Sequence, residues 1–290
     1  MVSSVMPVIR SNFLFQVILS SFGFFKIKTT FPSTPAIIKQ TKDTNSTQYP
    51  PKVYTRNLIL FSMKSDFLKH IAYDSVVFGY SDGQLKVLIM KYMNTNLYAL
   101  PGGFVKMKEN LNDAVVKGLK ERTGLNNIFL EQFYTFGDLK RYKPEIMETI
   151  LKANGIKLRR NDWMMDRFIS IAYYALINFH EVDPKPGFLS ESCDWYDINK
   201  LPKLMLDHKM IITKALQTLR ESLGKKPVGK NLLPKFFTMN DLQKTYEVIL
   251  GEKMHRGTFQ RKMLNMGILA RHNKKFSGGA HKAPYLYSFD

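Results

Sequence analysis

One cysteine, six histidines and a shortage of acidic side chains bound what this 290-residue chain can be. A lone Cys193 excludes an intramolecular disulfide and any CxxC metal pair, and fits a buried or idle thiol in a reducing cytoplasm. The histidines show neither HxxxH nor HExxH spacing, so a zinc site has no support. An apolar run over 12–25 lies between Arg10 and Lys26 and falls short of the roughly 20 residues a membrane helix needs. It has the look of a signal-peptide core, yet no small-residue cleavage site follows closely. Asp and Glu number 24 against 43 Lys and Arg, for a formal net charge of +19. Such an imbalance asks for a polyanionic partner, and nucleic acid leads because no basic amphipathic helix points to a membrane surface.

The length suits two compact domains. Residues 1–62 differ from the rest: the stretch 29–51, rich in Ser, Thr, Pro, Asn and Gln, reads as disordered. Met63 opens a new segment just before the first good strand, so translation is expected to begin at or near it, with 1–62 a disordered or misassigned leader.

From 63 to 223 the pattern mixes strands and helices. Ile71 to Tyr80 alternates apolar and polar, Ser81-Asp82-Gly83-Gln84 signals a turn, and Leu85 to Tyr92 resumes, which makes a hairpin. A helix follows from Leu111 to Thr123, with Asn110 as N-cap and Gly124 as its stop. Leu111, Ala114, Val115 and Leu119 give it an apolar stripe. Ile128 to Phe136, Arg167 to Asn178 and Ser192 to Tyr196 read as strands, and a last helix spans Asp207 to Leu223, closed by Gly224. Residues 137–166 form a long insertion with a short helix near Pro144 to Asn154. A connection this long is more often functional than idle, and Arg141, Arg159, Arg160 and Arg167 could meet phosphate or carboxylate there.

The residues before and along the first helix carry a specific spacing: Leu100-Pro101-Gly102-Gly103-Phe104, then Glu109, then Lys117-Gly118-Leu119-Lys120-Glu121-Arg122-Thr123-Gly124-Leu125. This resembles the Nudix box, G-x5-E-x7-R-E-U-x-E-E-x-G-U. Gly103, Glu109, Leu119, Glu121, Gly124 and Leu125 fit; Lys117 stands for Arg, Gly118 for Glu and Arg122 for Glu. Positions 118, 121 and 122 share one helical face, where the family gathers Mg2+ around a diphosphate. One carboxylate remains there, with a fixed positive charge beside it, so neither a catalytic residue nor a metal site is expected.

Residues 224–290 change character. Lys225 to Lys230 has linker composition, and Thr238-Met239-Asn240-Asp241 opens a helix striped by Leu242, Tyr246, Ile249 and Leu250 and ended by Gly251. A second helix, about Arg256 to Met266, carries Phe259, Met263, Leu264 and Met266 as its stripe; strands near 267–271 and 284–289 flank a polar loop. Two helices and a hairpin describe a winged helix-turn-helix. From Lys225 onward, thirteen Lys and Arg against four Asp and Glu give 13 − 4 = +9. The second helix would enter the major groove with Arg256, Thr258, Gln260, Arg261 and Lys262, while Lys274, Lys275, His281 and Lys282 grip phosphates from the wing.

Taken together, 63–290 is similar to the Nudix-related transcriptional regulators, of the type that governs NAD metabolism or arabinose use. Leu100 to Val105, Ser170 to Leu176, Asn231 to Thr238 and Phe259 to Leu264 carry the likeness. It implies an α+β fold, a Nudix-type α/β/α sandwich with a mixed sheet followed by the winged helix, working as a cytoplasmic homodimer on double-stranded DNA. It further implies a small effector, a sugar or an ADP-ribose-like nucleotide, held by Gly102, Gly103, Phe104, Glu121, Arg122, Asp138, Arg141 and Arg167. The alternative is a Mg-dependent hydrolase of a nucleoside diphosphate derivative, with Glu109, Glu121 and Asp138 or Glu131 as ligands.

Overall fold

The computed structural model describes residues 66–126, 128–157, 162–223, 228–275 and 283–290. Strand β1 (Phe67–Ser81) turns back into β2 (Gln84–Tyr92). Asp82 and Gly83 both take positive φ, 52° and 72°, the left-handed pair that a two-residue hairpin with the right twist requires. Short strands β3 (Tyr98–Ala99) and β4 (Gly102–Lys106) lead into α1 (Leu111–Thr123). Beyond it come β5 (Phe129–Phe136), α2 (Pro144–Ala153), β6 (Ile169–Ile177), β7 (Ser190–Asp197) and α3 (His208–Ser222).

The sheet order is β3-β2-β1-β6-β5, with β4 also on β1 and β7 also on β2. β1 and β6 run parallel from Ile71↔Ile169 to Gly79↔Ile177, and the remaining pairs are antiparallel, so the sheet is mixed. The pleat sorts side chains by parity. Tyr73, Val77, Tyr173, Ala175 and Ile177 face one way and pack with Ala114, Val115 and Leu119 of α1. Val76, Phe78, Ala172, Tyr174 and Leu176 face the other way, against Ile211, Ile212, Ala215 and Leu219 of α3. Burial on both faces explains why these central strands read as nearly continuous apolar runs.

Helix α1 keeps the bounds its sequence signals, and Gly124 closes it in the left-handed region at φ 76°, its N–H donating to the Lys120 carbonyl at 2.8 Å. Asn110 stands at the N-cap position but makes no side-chain cap; its Nδ2 donates to Asp113 Oδ2 at 2.9 Å instead. The 137–166 insertion holds α2 and ends in a 3-10 turn, Trp163–Met165. Trp163 there packs on Phe104 and Phe168, with ring centroids 5.1 and 5.6 Å away. Residues 1–62, Met63, Arg159, Arg160 and Gly224 lie outside the described residues.

The C-terminal part contains β8 (Phe237–Thr238), α4 (Met239–Leu250), α5 (Arg256–Asn265), β9 (Leu269–Lys274) and β10 (Tyr285–Phe289), with sheet order β8-β10-β9. Thr238 and Asp241 form a reciprocal capping box, and Gly251 ends α4 at φ 80°. In α5, Phe259 and Met263 point inward, each 1% exposed, but Leu264 is 43% exposed. One residue past Met263 is a turn of about 100° around the helix, which carries Leu264 off the buried stripe. Phe237, Leu242, Tyr246, Ile249, Phe259, Met263 and Tyr287 join the apolar cluster that also contains Tyr174 and Leu219. Arg220 at the end of α3 donates from Nε to the Ile249 carbonyl at 2.7 Å. Among the described residues no helix is long and apolar enough to cross a membrane.

Candidate functional site

The box loop and α1 meet over β1, where the register pairs Tyr73 with Gly103 and Asp74 with Gly102. The approach is close enough to dictate glycine. A Cβ on Gly102 would lie 2.6 Å from the Tyr73 carbonyl oxygen and 2.9 Å from Asp74 Oδ1; one on Gly103 would lie 2.6 Å from Tyr73 Oη. A Cβ on Gly118 would overlap the same hydroxyl. Tyr73 therefore fills the space in which a side chain at position 118 would stand, and Gly118 is the only residue that fits beneath it. The sequence reading overlooked Tyr73; a mid-helix glycine facing an apolar strand that contains a tyrosine was the available signal.

Arg122 turns inward under α1. It packs against Gly187 in the loop before β7, and its carbonyl accepts from Lys185 N at 2.8 Å. Its charge reaches three neutral groups. Tyr73 is pushed up to about 12, first by burial, then by Glu121, Glu109 and Asp74, with Arg122 opposing. Tyr92 is pushed up to about 12 by burial and Asp74, and Cys193 likewise by burial and Asp194, again with Arg122 opposing. Among the described residues Arg122 has no ion-pair partner and no side-chain hydrogen bond. Glu121 is exposed, Lys117 is half-buried, and Glu109 Oε2 accepts from Lys106 N at 3.3 Å.

A second set of charges lies beneath this floor. Arg141, with its side chain 7% exposed, places Nη2 3.4 Å from Asp74 Oδ2 and Nε 3.1 Å from Asp207 Oδ2, and Nη1 donates to the Phe136 carbonyl at 3.1 Å. Ser170 Oγ donates to Asp74 Oδ2. His208 Nδ1 accepts from Leu100 N at 2.9 Å, and Nε2 lies 3.8 Å from Asp74 Oδ1. Burial holds this imidazole below its usual pKa, which fits a neutral ring with the proton on Nε2. The cluster ties β1, β6, the insertion and the start of α3 together, and Arg141 is committed to it.

The remaining sequence candidates scatter. Phe104 is wedged among Phe67, Trp163 and Phe168. Asp138 caps a 3-10 turn (Leu139–Arg141), accepting from Lys140 N at 2.8 Å. Exposed Arg167 donates to the Gly137 carbonyl. Glu131 accepts from the Tyr174 hydroxyl at 3.0 Å, and Tyr174 belongs to the α3 side of the sheet. That carboxylate faces away from the box helix. Among the described residues, no three His, Cys, Asp or Glu side chains are grouped so as to hold a metal ion.

In the C-terminal part, Arg256, Thr258, Arg261 and Lys262 are exposed on α5 and Gln260 is half-buried. His255 caps the helix, its Nδ1 accepting from Thr258 N at 3.5 Å. The turn between α4 and α5 is fixed by Glu247, which accepts from Met254 N, Gln243 Nε2 and Lys253 Nζ at 3.0, 2.9 and 3.1 Å. Lys274 belongs to β9 and stacks with Arg271 on Tyr285, 5.3 and 4.7 Å from the ring centroid, while Lys275 is exposed. His281 and Lys282 fall outside the described residues.

Comparison with known proteins matches residues 229–289 to the NrtR DNA-binding winged helix domain. An ADPR responsive transcriptional repressor, NtrR, of Acinetobacter baylyi is 29% identical over 234 residues, 78% of this chain and 84% of that protein. An ADP-ribose pyrophosphatase of Methanocaldococcus jannaschii is 28% identical over 167 residues, 56% of this chain and 83% of its own length. The crystal structure of Shewanella oneidensis NrtR superposes with a TM-score of 0.60 at 25% identity, covering 77% of this chain and 94% of that one. The chain is thus NrtR-like, a Nudix fold joined to a C-terminal winged helix.

Proposed function

We propose that this chain is a DNA-binding transcriptional regulator whose Nudix domain senses an ADP-ribose-like effector. The observation that carries the reading is the pairing of an NrtR-type winged helix, matched over 229–289, with a box helix whose position 118 is closed by Tyr73. A reader is kept while a catalytic carboxylate has no room. Similarity to an ADPR responsive repressor over most of both chains supports repression as the mode.

Exposed Arg256, Arg261 and Lys262 on α5 suit the major groove, with Arg reading base edges and Lys holding phosphates. A homodimer would set two such helices about 34–36 Å apart, one turn of DNA. The effector would favour a geometry in which they no longer match the half-sites. A hundredfold change in operator occupancy needs about 2.7 kcal/mol of differential affinity. The compartment is then that of the DNA.

Likeness to an ADP-ribose pyrophosphatase keeps hydrolysis as the second reading. Fluorescence anisotropy with the DNA upstream of its own gene, beside a Mg2+-dependent turnover assay on ADP-ribose, separates the two. Salt-dependent preference for that DNA over a scrambled duplex, with ADP-ribose left intact, is expected. Equal affinity for both duplexes, or turnover that vanishes in Glu121→Gln, would refute the regulator in favour of the enzyme.

A further inference from the structure

The Nudix fold implies a divalent cation between the box helix and a diphosphate, and the residues present do not fit one. Mg2+ asks for near-octahedral oxygen ligands, usually one or two carboxylates plus phosphate oxygens. Here position 118 is filled by the Tyr73 hydroxyl, position 122 is a guanidinium, and Glu121 alone keeps a carboxylate on that face.

What stands there instead is suited to an anion. Arg122 is half-buried, packs its guanidinium against Gly187, has no ion-pair partner among the described residues, and acts by charge on Tyr73, Tyr92 and Cys193, whose neutral forms are favoured by burial. A guanidinium removed from water without a counter-ion is costly unless a ligand supplies one. Tyr73 is 7% exposed, touches Gly103 and Gly118 with its hydroxyl, and that hydroxyl has no hydrogen-bond partner among the described residues. A protonated phenol and a guanidinium are both donors; phosphate oxygens are acceptors.

We infer that the cleft binds the diphosphate of its ligand without a divalent cation, the Arg122 guanidinium standing in the cation's place and the Tyr73 hydroxyl donating from the position of the missing carboxylate. This rests on the reading of the cleft as a ligand site and adds how the ligand is held. It also links two of the three departures from the box, Gly118 and Arg122, to Tyr73 on β1. Arg122 supplies the charge, Tyr73 supplies the donor, and Gly118 makes room for Tyr73.

The test is isothermal titration calorimetry of the full chain with ADP-ribose and, separately, inorganic pyrophosphate, each in EDTA and in excess magnesium chloride. Equal affinity in both buffers is expected. Arg122→Ala should weaken both ligands by about tenfold to a hundredfold, Arg122→Lys by less, and isosteric Tyr73→Phe by about three- to tenfold. Melting temperatures of the variants show that each is folded, and pyrophosphate, lacking ribose and adenine, reports the phosphate contacts alone. Binding that needs magnesium, or an Arg122→Ala chain that binds both ligands like the wild type, overturns the inference and leaves the sensor reading intact. Metal-free, Arg122-dependent binding of pyrophosphate with no binding of ADP-ribose supports the inference and overturns the choice of effector. Failure of both ligands in both buffers overturns both.

Discussion

Arg141 in the Nudix-like part has a side chain 7% exposed and is fixed between Asp74 and Asp207, whereas Arg256 and Arg261 on α5 stand exposed, with no ion-pair partner among the described residues. The first arginine was removed from water when the chain folded, and its energy is spent on holding β1, the insertion and α3 together. The other two keep their charge for whatever approaches from solution. Arg122 lies between these extremes, half-buried yet unpaired. Arginine count alone, a fair guide to the net charge of the winged helix, therefore misleads inside the cleft, where burial and partner decide what each guanidinium does.

The largest effect that tests this contrast is on stability. Arg141→Ala takes from the largely buried Asp74 and Asp207 carboxylates the cation they share, so urea unfolding should show a loss of about 3–5 kcal/mol. A loss below about 1 kcal/mol, the scale of a surface change, would erase the distinction. Arg261→Ala should do the reverse, lowering affinity for cognate DNA by about 1–3 kcal/mol in anisotropy while stability stays within about 0.5 kcal/mol.

Gly118→Ala tests the Tyr73 plug. Forcing a methyl against the hydroxyl costs about 1–3 kcal/mol, offset by about 1 kcal/mol of helix propensity, so a net loss is expected in the wild type. In a Tyr73→Phe background the hydroxyl is gone and the same change should stabilise. Identical effects in both backgrounds, read by thermal melts, would mean that the two residues do not meet.

The smallest effect concerns pH. Three hydrogen bonds, the first from Met254 N, hold Glu247 near a pKa of about 2, below the usual 4.5. Its contribution is fully present above the unfolded value and is lost as pH falls through about 2. The melting-temperature gap between wild type and Glu247→Gln should be constant above pH 5 and close as pH falls toward 2; a gap that widens with acid would have the sign wrong.

Much of the fold was legible because its signals are local. The Asp82-Gly83 turn, the limits of α1 at Leu111 and Gly124, and the Thr238–Asp241 capping box each follow from residues within a few positions of one another. The site was legible only in outline. Box spacing brought out Gly103, Glu121 and Arg122, but Tyr73 enters through the pairing of β1 with β4. Asp74, Arg141, Ser170 and His208 meet only after four distant segments pack together. Glu131 faces the α3 side because of strand parity, which a period read without a bulge cannot fix: the register slips between Gln132 and Tyr134. Leu264 left the buried stripe for a comparable reason, one residue of helical phase.

The central claim is that occupancy of a metal-free cleft is reported by the winged helix. Its most direct test is anisotropy of labelled upstream DNA bound to the full chain, titrated with ADP-ribose in EDTA. The account predicts that DNA is released as ADP-ribose saturates, with the nucleotide recovered intact. DNA affinity that does not change at saturating ADP-ribose would contradict it.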